Sequence, residues 1–396
     1  MDKSLTARRV GENGTLDCVP GSGIVSVANA QKVDRKETVD KTADETWCYF
    51  GSTGGQTPVD EQAIHVSRFN TLTGQFGAVQ RAAGTESPSF LAVHPTENFL
   101  YATREVAQVG GVAAFRIDRV TGLLQQLNDQ PAVGSGTCHV SLDATGKVLL
   151  LANYGSGSFA SLPVADDGTL NPAACIIQNH GQGPLPRQTT PHAHSFNVDP
   201  TNRFALACDL GTDQVLVFQL DVSNAQLTPV DPPFAMVAAG SGPRHLAFHP
   251  DGKFVYVVNE LSNTVTAFAW DANIGQLREV QTITTLPANW NGESYTAEIR
   301  VHSGGELLYA SNRGHNSIAV FRIDRASGCL ENIGWTATLG DWPRHFEIDP
   351  TGHWLVVANE LSNDVFVFQI DRQTGDLRPA GGRIELPAPS CVRFVR

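Results

Sequence analysis

One stretch of this chain is written twice. Gly-Pro-Arg-His-Leu-Ala-Phe-His-Pro-Asp-Gly at 242–252 leads into Val-Asn-Glu-Leu-Ser-Asn, and Trp-Pro-Arg-His-Phe-Glu-Ile-Asp-Pro-Thr-Gly at 342–352 leads into Ala-Asn-Glu-Leu-Ser-Asn. Looser copies are anchored at Pro95, Ala144, Pro200, Pro250, Ser303 and Pro350, in steps of 49, 56, 50, 53 and 47 residues. Self-similarity at a period of about 50 residues marks a repeat architecture, in which each unit buries its apolar face against the next.

Each unit predicts four short strands. Around the first copy these are an apolar run ending at Phe248, a turn over Pro250, Asp251, Gly252 and Lys253, a β-rich run from Phe254 to Val258, a third from Val265 to Phe268, and a weaker fourth near Leu277 to Val280. Val, Ile, Phe and Tyr between Asp-Gly, Thr-Gly or Asn-rich turns are strand and hairpin signals. Four antiparallel strands per unit make a propeller blade. Six units are complete. Residues 47–80 match strands two to four of a further blade, and residues 389–396 match its missing first strand. The expectation is an all-β, seven-bladed propeller whose ring is closed by joining N- and C-terminal strands in one blade, which leaves no free sheet edge. One domain would then span residues 46–396, where length alone suggests two or three.

Residues 1–45 do not carry the repeat. They are polar and charged and read as a disordered extension. Arg8 and Arg9 are not followed by the apolar core of a secretory signal, while Val-Ala-Asn-Ala at 27–30 keeps export open. The net charge of −12 argues against a nucleic-acid partner, which requires a basic footprint. An anion site on such a chain must be a local cluster of arginines. No run of roughly 18 apolar residues is present, so no membrane-spanning helix is expected. The seven cysteines are odd in number and lack a Cys-x-x-Cys, which favours reduced thiols and a cytoplasmic location over a disulfide or zinc framework.

The repeat also locates a site. If residues whose numbers sum to about 504 face each other across the hairpin centred on Gly252, Arg244 and His245 lie beside Asn259 and Glu260. Carried through the six full units, the first strands contribute Ser89, Cys138, His194, Arg244, Ala297 and Arg344, then Phe90, His139, Ser195, His245, Glu298 and His345. The second strands contribute Arg104, Asn153, Asp209, Asn259, Asn312 and Asn359, then Glu105, Tyr154, Leu210, Glu260, Arg313 and Glu360. Thirteen of these 24 positions are Asp, Glu, Lys, Arg or His, against 80 of 396 in the whole chain. Because charge on inner strands is expensive to desolvate, its concentration at one expected mouth of the channel marks a binding site. The recurring Asn153, Asn259, Asn312 and Asn359 fit a structural role, although the first three also count as substrate-binding candidates with Tyr154. His194 replaces arginine and Arg313 replaces glutamate. These departures from the repeat are stronger functional candidates than the recurring residues. Arg344, His345 and Glu360 duplicate the 244/245/260 set.

Pro-His-Ala-His-Ser-Phe-Asn-Val-Asp-Pro at 191–200, the 242–261 segment, Ala-Glu-Ile-Arg-Val at 297–301 and Leu-Tyr-Ala-Ser-Asn-Arg-Gly-His-Asn-Ser-Ile at 308–318 together resemble the lactonase family of seven-bladed propellers. That family includes propeller-type 6-phosphogluconolactonases and fungal carboxymuconate lactonizing enzymes. The resemblance covers residues 47–396. It implies a lactone-ring reaction without a metal or organic cofactor, most simply hydrolysis of 6-phosphogluconolactone in the pentose phosphate pathway. It also implies a catalytic set of His194, Arg244, Arg313 and Glu260. His245, Glu298, Arg344, His345 and Glu360 join Asn153, Tyr154, Asn259 and Asn312 as expected substrate-binding residues. Bacterial members of this type carry Trp-Pro-Arg-Asn-Phe where this chain has Trp-Pro-Arg-His-Phe with His345. The expected partner is a small phosphorylated sugar lactone, with the protein acting as a monomer or weak homo-oligomer. Either His194 or Glu260 is suited to activate water. A cycloisomerase using the same arginines and a noncatalytic interaction platform remain the alternative functions.

Overall fold

A computed structural model describes residues 44–107 and 109–396. The expected disordered extension lies outside them, except for Asp44 and Glu45, and Glu45 already begins a strand. Seven antiparallel sheets succeed one another along the chain. Six are contiguous, blade 1 at 91–131, blade 2 at 137–178, blade 3 at 193–236, blade 4 at 243–284, blade 5 at 295–337 and blade 6 at 343–385. Blade 7 combines Pro389–Val395 with Glu45–Ser52 and Ala63–Asn70, and its outermost strand is split into Gln75–Phe76 and Gln80–Gly84. The closing strands pair antiparallel from Trp47 opposite Val395 to Ser52 opposite Pro389. Thr46 Oγ1 donates to the Val395 carbonyl at 2.6 Å. The seven innermost strands surround a central channel, each touching the next.

Blade 4 shows why this sequence forms this sheet. Its strands are Pro243–Phe248, Phe254–Asn259, Thr264–Asp271 and Gln276–Thr284. The second strand is apolar without alternation because both of its faces are buried. Tyr256 and Val258 pack with Leu308, Ala310 and Phe321 of blade 5, while Val255 and Val257 pack with Leu206 and Cys208 of blade 3. The apolar core is therefore a series of interfaces between blades. The turn before this strand needs a left-handed residue, supplied by Gly252 at φ 72°. Histidine side chains staple such turns between blades, as when His249 Nε2 bonds the Gly305 carbonyl at 2.8 Å.

The register differs from simple hairpin counting. Pairs from Phe248–Val255 to His245–Val258 follow one register, but Pro243 then faces Asn259, so Arg244 is an extra residue in a β-bulge. The same shift falls at Cys138, His194 and Arg344, and across Ala297 and Glu298. A bulge re-aims side chains that would otherwise alternate between faces. Arg244 and His245 consequently approach each other, Nη1 to Nε2 at 3.3 Å, although they are consecutive in a strand.

Candidate functional site

The expected rim residues do not crowd one mouth. They divide into an outer cavity, an inner channel cluster and a set that holds the blades together. The asparagines belong to the last set. Asn153 Nδ2 donates to the Ala132 carbonyl and Ser158 Oγ, Asn259 Nδ2 to Thr264 and Thr266 Oγ1, Asn312 Nδ2 to the Thr285 carbonyl and Ser317 Oγ, and Asn359 Nδ2 to Asp364 Oδ1. The Ser158, Thr264, Thr266, Ser317 and Asp364 bonds tie the second strand to the third of its own blade, while the Ala132 and Thr285 carbonyls belong to the connections from the preceding blades. None of the four asparagines lines the outer cavity.

The outer cavity is about 390 Å³ and is lined by Arg187, Arg244, Arg313, Arg344, Glu105, Glu260, His194, Tyr154 and Cys138 among others. Four guanidiniums face two carboxylates there, a local positive excess on a chain whose net charge is −12. A larger hollow of about 880 Å³ meets this chemistry only at Glu360 and otherwise follows surface loops, including Gly54 to Pro58 and Leu361 to Asn363. Convergent buried charge favours the smaller cavity as the site.

Glu260 organises it. Its carboxylate receives Arg244 at 3.0 Å, Arg313 at 2.9 Å and Arg187 at 2.8 Å, and His194 Nε2 stands 4.0 Å away. Burial pushes the Glu260 carboxyl up, but Arg313 and Arg244, then His194 and Arg187, more than offset it and hold its pKa well below the carboxylate range. Such an ion is a poor proton acceptor. The His194 pKa is lowered too, but there the unprotonated form is a neutral ring rather than an anion held by three guanidiniums. Burial first, and Arg244 second, hold its pKa well below the ordinary imidazole value, leaving a neutral ring at neutral pH. Tyr154 braces that ring edge-on at 5.5 Å between centroids. Burial pushes the adjacent Cys138 up to about 12, so it remains a thiol and is not an activated nucleophile.

Arg244 and Arg313 are fixed from behind. Arg244 Nη1 donates to the Ala297 carbonyl at 2.6 Å, while Arg313 reaches the Tyr295 and Thr296 carbonyls at 3.3 and 3.1 Å. Burial lowers the Arg244 pKa to about 10, which still leaves it charged. Arg244 Nη2 and Arg313 Nη1 have no hydrogen-bond partner among the described residues. The site therefore holds preorganised cationic donors beside an unprotonated base.

His245, Glu298 and His345 lie in the inner cluster. Glu298 is fully buried and accepts from His245 Nδ1 at 2.9 Å, has His345 Nε2 at 3.2 Å, and also pairs with Arg300. Arg300 and Arg393 grip Glu347 at 3.0 and 2.7 Å. His139, Asn197, Phe90 and Leu246 join His245, Glu298, Arg300, Glu347 and Arg393 in lining a cavity of about 220 Å³. Because His245 Nδ1 faces a carboxylate, its Nε2 is the acceptor turned toward Arg244. Glu298 thus orients Arg244 through His245. No cluster of three or more His, Cys, Asp or Glu suited to a metal ion occurs among the described residues.

Arg187 was absent from the expected site. It lies outside the repeat, in a 3-10 turn at Pro186–Gln188. Its sequence signal is the long step of 56 residues from Ala144 to Pro200. Arg300, Glu347 and Arg393 were also absent, although each stands two residues after a position in the rim rows or their blade 7 counterpart and so on the same face.

A family model described as lactonase, 7-bladed beta-propeller, matches residues 48–394. The chain belongs to this lactonase family. The Bacillus subtilis 6-phosphogluconolactonase is 35% identical over 347 residues, covering 88% of this chain and 98% of its own. A Pseudomonas aeruginosa structure titled periplasmic gluconolactonase superposes with TM-score 0.83 at 32% identity, covering 89% of this lactonase and 99% of its own chain. A Bacteroides fragilis protein named as a candidate 6-phosphogluconolactonase superposes with TM-score 0.82 at 34% identity, over 90% and 99%. The lactonase is accordingly an enzyme, which removes the noncatalytic-platform alternative. Its seven-bladed ring is the family fold, and no described helix is long and apolar enough to cross a membrane.

Proposed function

We propose that the outer cavity hydrolyses a sugar δ-lactone, 6-phosphoglucono-1,5-lactone, to 6-phosphogluconate, the hydrolytic step of the pentose phosphate pathway. The observation that carries this reading is the placement of neutral His194 beside two buried guanidiniums, each with a terminal nitrogen that has no partner among the described residues. The name of the Bacillus subtilis relative supports the substrate. His194 takes a proton from water as its oxygen bonds to the ring carbonyl carbon. Arg244 and Arg313 stabilise the resulting oxyanion through charge-assisted hydrogen bonds. When the ring C–O bond breaks, the alkoxide receives the proton from His194, and the new carboxylic acid gives its own proton to water and leaves as the carboxylate. Glu260 balances the arginines and is not the base.

The test uses freshly generated lactone, with spontaneous hydrolysis subtracted. His194→Ala is expected to lower kcat by about 10²–10⁴-fold, the usual contribution of a positioned base. Wild-type rates in both His194→Ala and Arg244→Ala would overturn the reading. Six free cysteines among the described residues support a cytoplasmic setting, which fractionation of the native cells would check.

A further inference from the structure

The four guanidiniums of the outer cavity fall into two classes. Arg244 and Arg313 have side chains only 3% and 7% exposed and are clamped by main-chain carbonyls as well as Glu260. Arg187 and Arg344 are 45% and 26% exposed. Neither donates to a main-chain carbonyl among the described residues. Arg187 meets Glu260 at 2.8 Å and Tyr154 Oη at 3.2 Å, while Arg344 meets Glu360 at 3.2 Å. The backbone that carries Arg187 is nevertheless fixed. Fully buried Gln188 donates through Nε2 to the Leu210 carbonyl and Asp213 Oδ1, both at 2.8 Å. A pinned segment therefore presents a reachable cation to the cavity.

We propose that Arg187 and Arg344 form the seat for an anionic group remote from the lactone carbonyl, and so determine preference for a phosphorylated over an unphosphorylated sugar lactone. This rests on the lactonase reading above. Similarity at the level of the fold does not make the choice, since relatives at 35% and 32% identity are named for a phosphorylated and an unphosphorylated lactone. The buried pair is committed by its carbonyl contacts to one geometry, which suits a developing oxyanion. The outer pair can exchange a carboxylate for phosphate at little cost because part-exposed ion pairs are weak, and the guanidinium fork matches phosphate oxygens. Glu260 keeps Arg244 and Arg313 when Arg187 turns away, so no buried carboxylate is left unpaired.

The experiment measures kcat/KM for 6-phosphogluconolactone and glucono-1,5-lactone in the wild type and in Arg187→Ala, Arg344→Ala, the double variant and Arg187→Lys. The phosphorylated-to-unphosphorylated ratio is expected to fall about tenfold in each alanine variant, the loss of roughly one charge-assisted contact. The fall should lie mainly in KM, be larger in the double variant and be partly restored in Arg187→Lys. Using the ratio cancels any loss common to both substrates, including a disturbance of Glu260. Unchanged ratios in active alanine variants, or a wild type without preference for the phosphorylated substrate, would overturn the proposal alone. A wild type that hydrolyses neither lactone would overturn the underlying reading as well.

Discussion

Blades 4 and 6 carry nearly the same words and sit in different electrostatic surroundings. Both have Pro-Arg-His on a bulged inner strand and Asn-Glu-Leu-Ser-Asn after the second strand. Yet Glu260 gathers three guanidiniums, while among the described residues Glu360 receives only Arg344 and the Thr53 hydroxyl. The cause lies in the neighbour. Blade 5 places Ala297 and Arg313 against blade 4, giving Arg244 a reachable carbonyl and Glu260 another cation. Blade 7 offers blade 6 Thr53 instead. Even the duplicated histidines converge, since His245 and His345 meet the same Glu298 of blade 5. A repeated sequence therefore acquires chemistry from the adjoining blade that breaks the repeat.

That contrast can be broken most directly at the two glutamates. Glu260→Gln leaves Arg244 and Arg313 buried without their counter-ion and is expected to cost about 3–5 kcal/mol of stability in urea unfolding. Glu360→Gln removes a more exposed pair and should cost about 1 kcal/mol or less. Equal losses would show that the copies are equivalent after all. Next in size, Arg244→Ala should lower kcat by about 10²–10³-fold through loss of an oxyanion donor. Arg344→Ala should act mainly on KM, so matching kcat losses would erase the division of labour.

The inner histidines should not distinguish the copies in the same way. Burial lowers the pKa of His139 to about 3 and holds His245 and His345 well below the usual value. Because the unfolded chain takes up these protons first, the contribution to stability is complete above about pH 6.5 and declines as pH falls below it. Each such histidine contributes a slope of about 1.4 kcal/mol per pH unit, continuing for His139 toward pH 3. Unfolding free energies measured between pH 7 and pH 4 would test this, and a flat profile would contradict it. The depressed pKa of His194 likewise places the acid limb of kcat/KM below the ordinary imidazole value. The smallest effect is expected for His345→Asn, about 1 kcal/mol, because Glu298 retains His245 and Arg300. A collapse of folding in that variant would make the blade 6 copy the more important support of the channel.

The blades and their closure were legible because apolar runs and turn residues recur with the fold's own period. Grouping Arg244, Glu260 and Arg313 was legible for the same reason. The bulge was not, since an unpaired residue such as Arg244 has no compositional mark and shifts the hairpin count by one. The repeat rows therefore placed His245, Glu298 and His345 with the outer mouth, whereas the structure places them deeper. Arg300, Glu347 and Arg393 would have emerged by reading two positions further along each inner strand. Arg187 had no equivalent in another blade, leaving only the lengthened step to indicate where something had been added.

Ring closure has a consequence for when this enzyme becomes complete during synthesis. Strand Pro389–Val395 is the last inner strand to emerge from the ribosome, and Thr46 must wait for Val395, 349 residues later. The same late strand brings Arg393 to Glu347 and Cys391 to the back of His345. Six blades can form as the chain grows, but the channel acquires its final charges only when the seam closes.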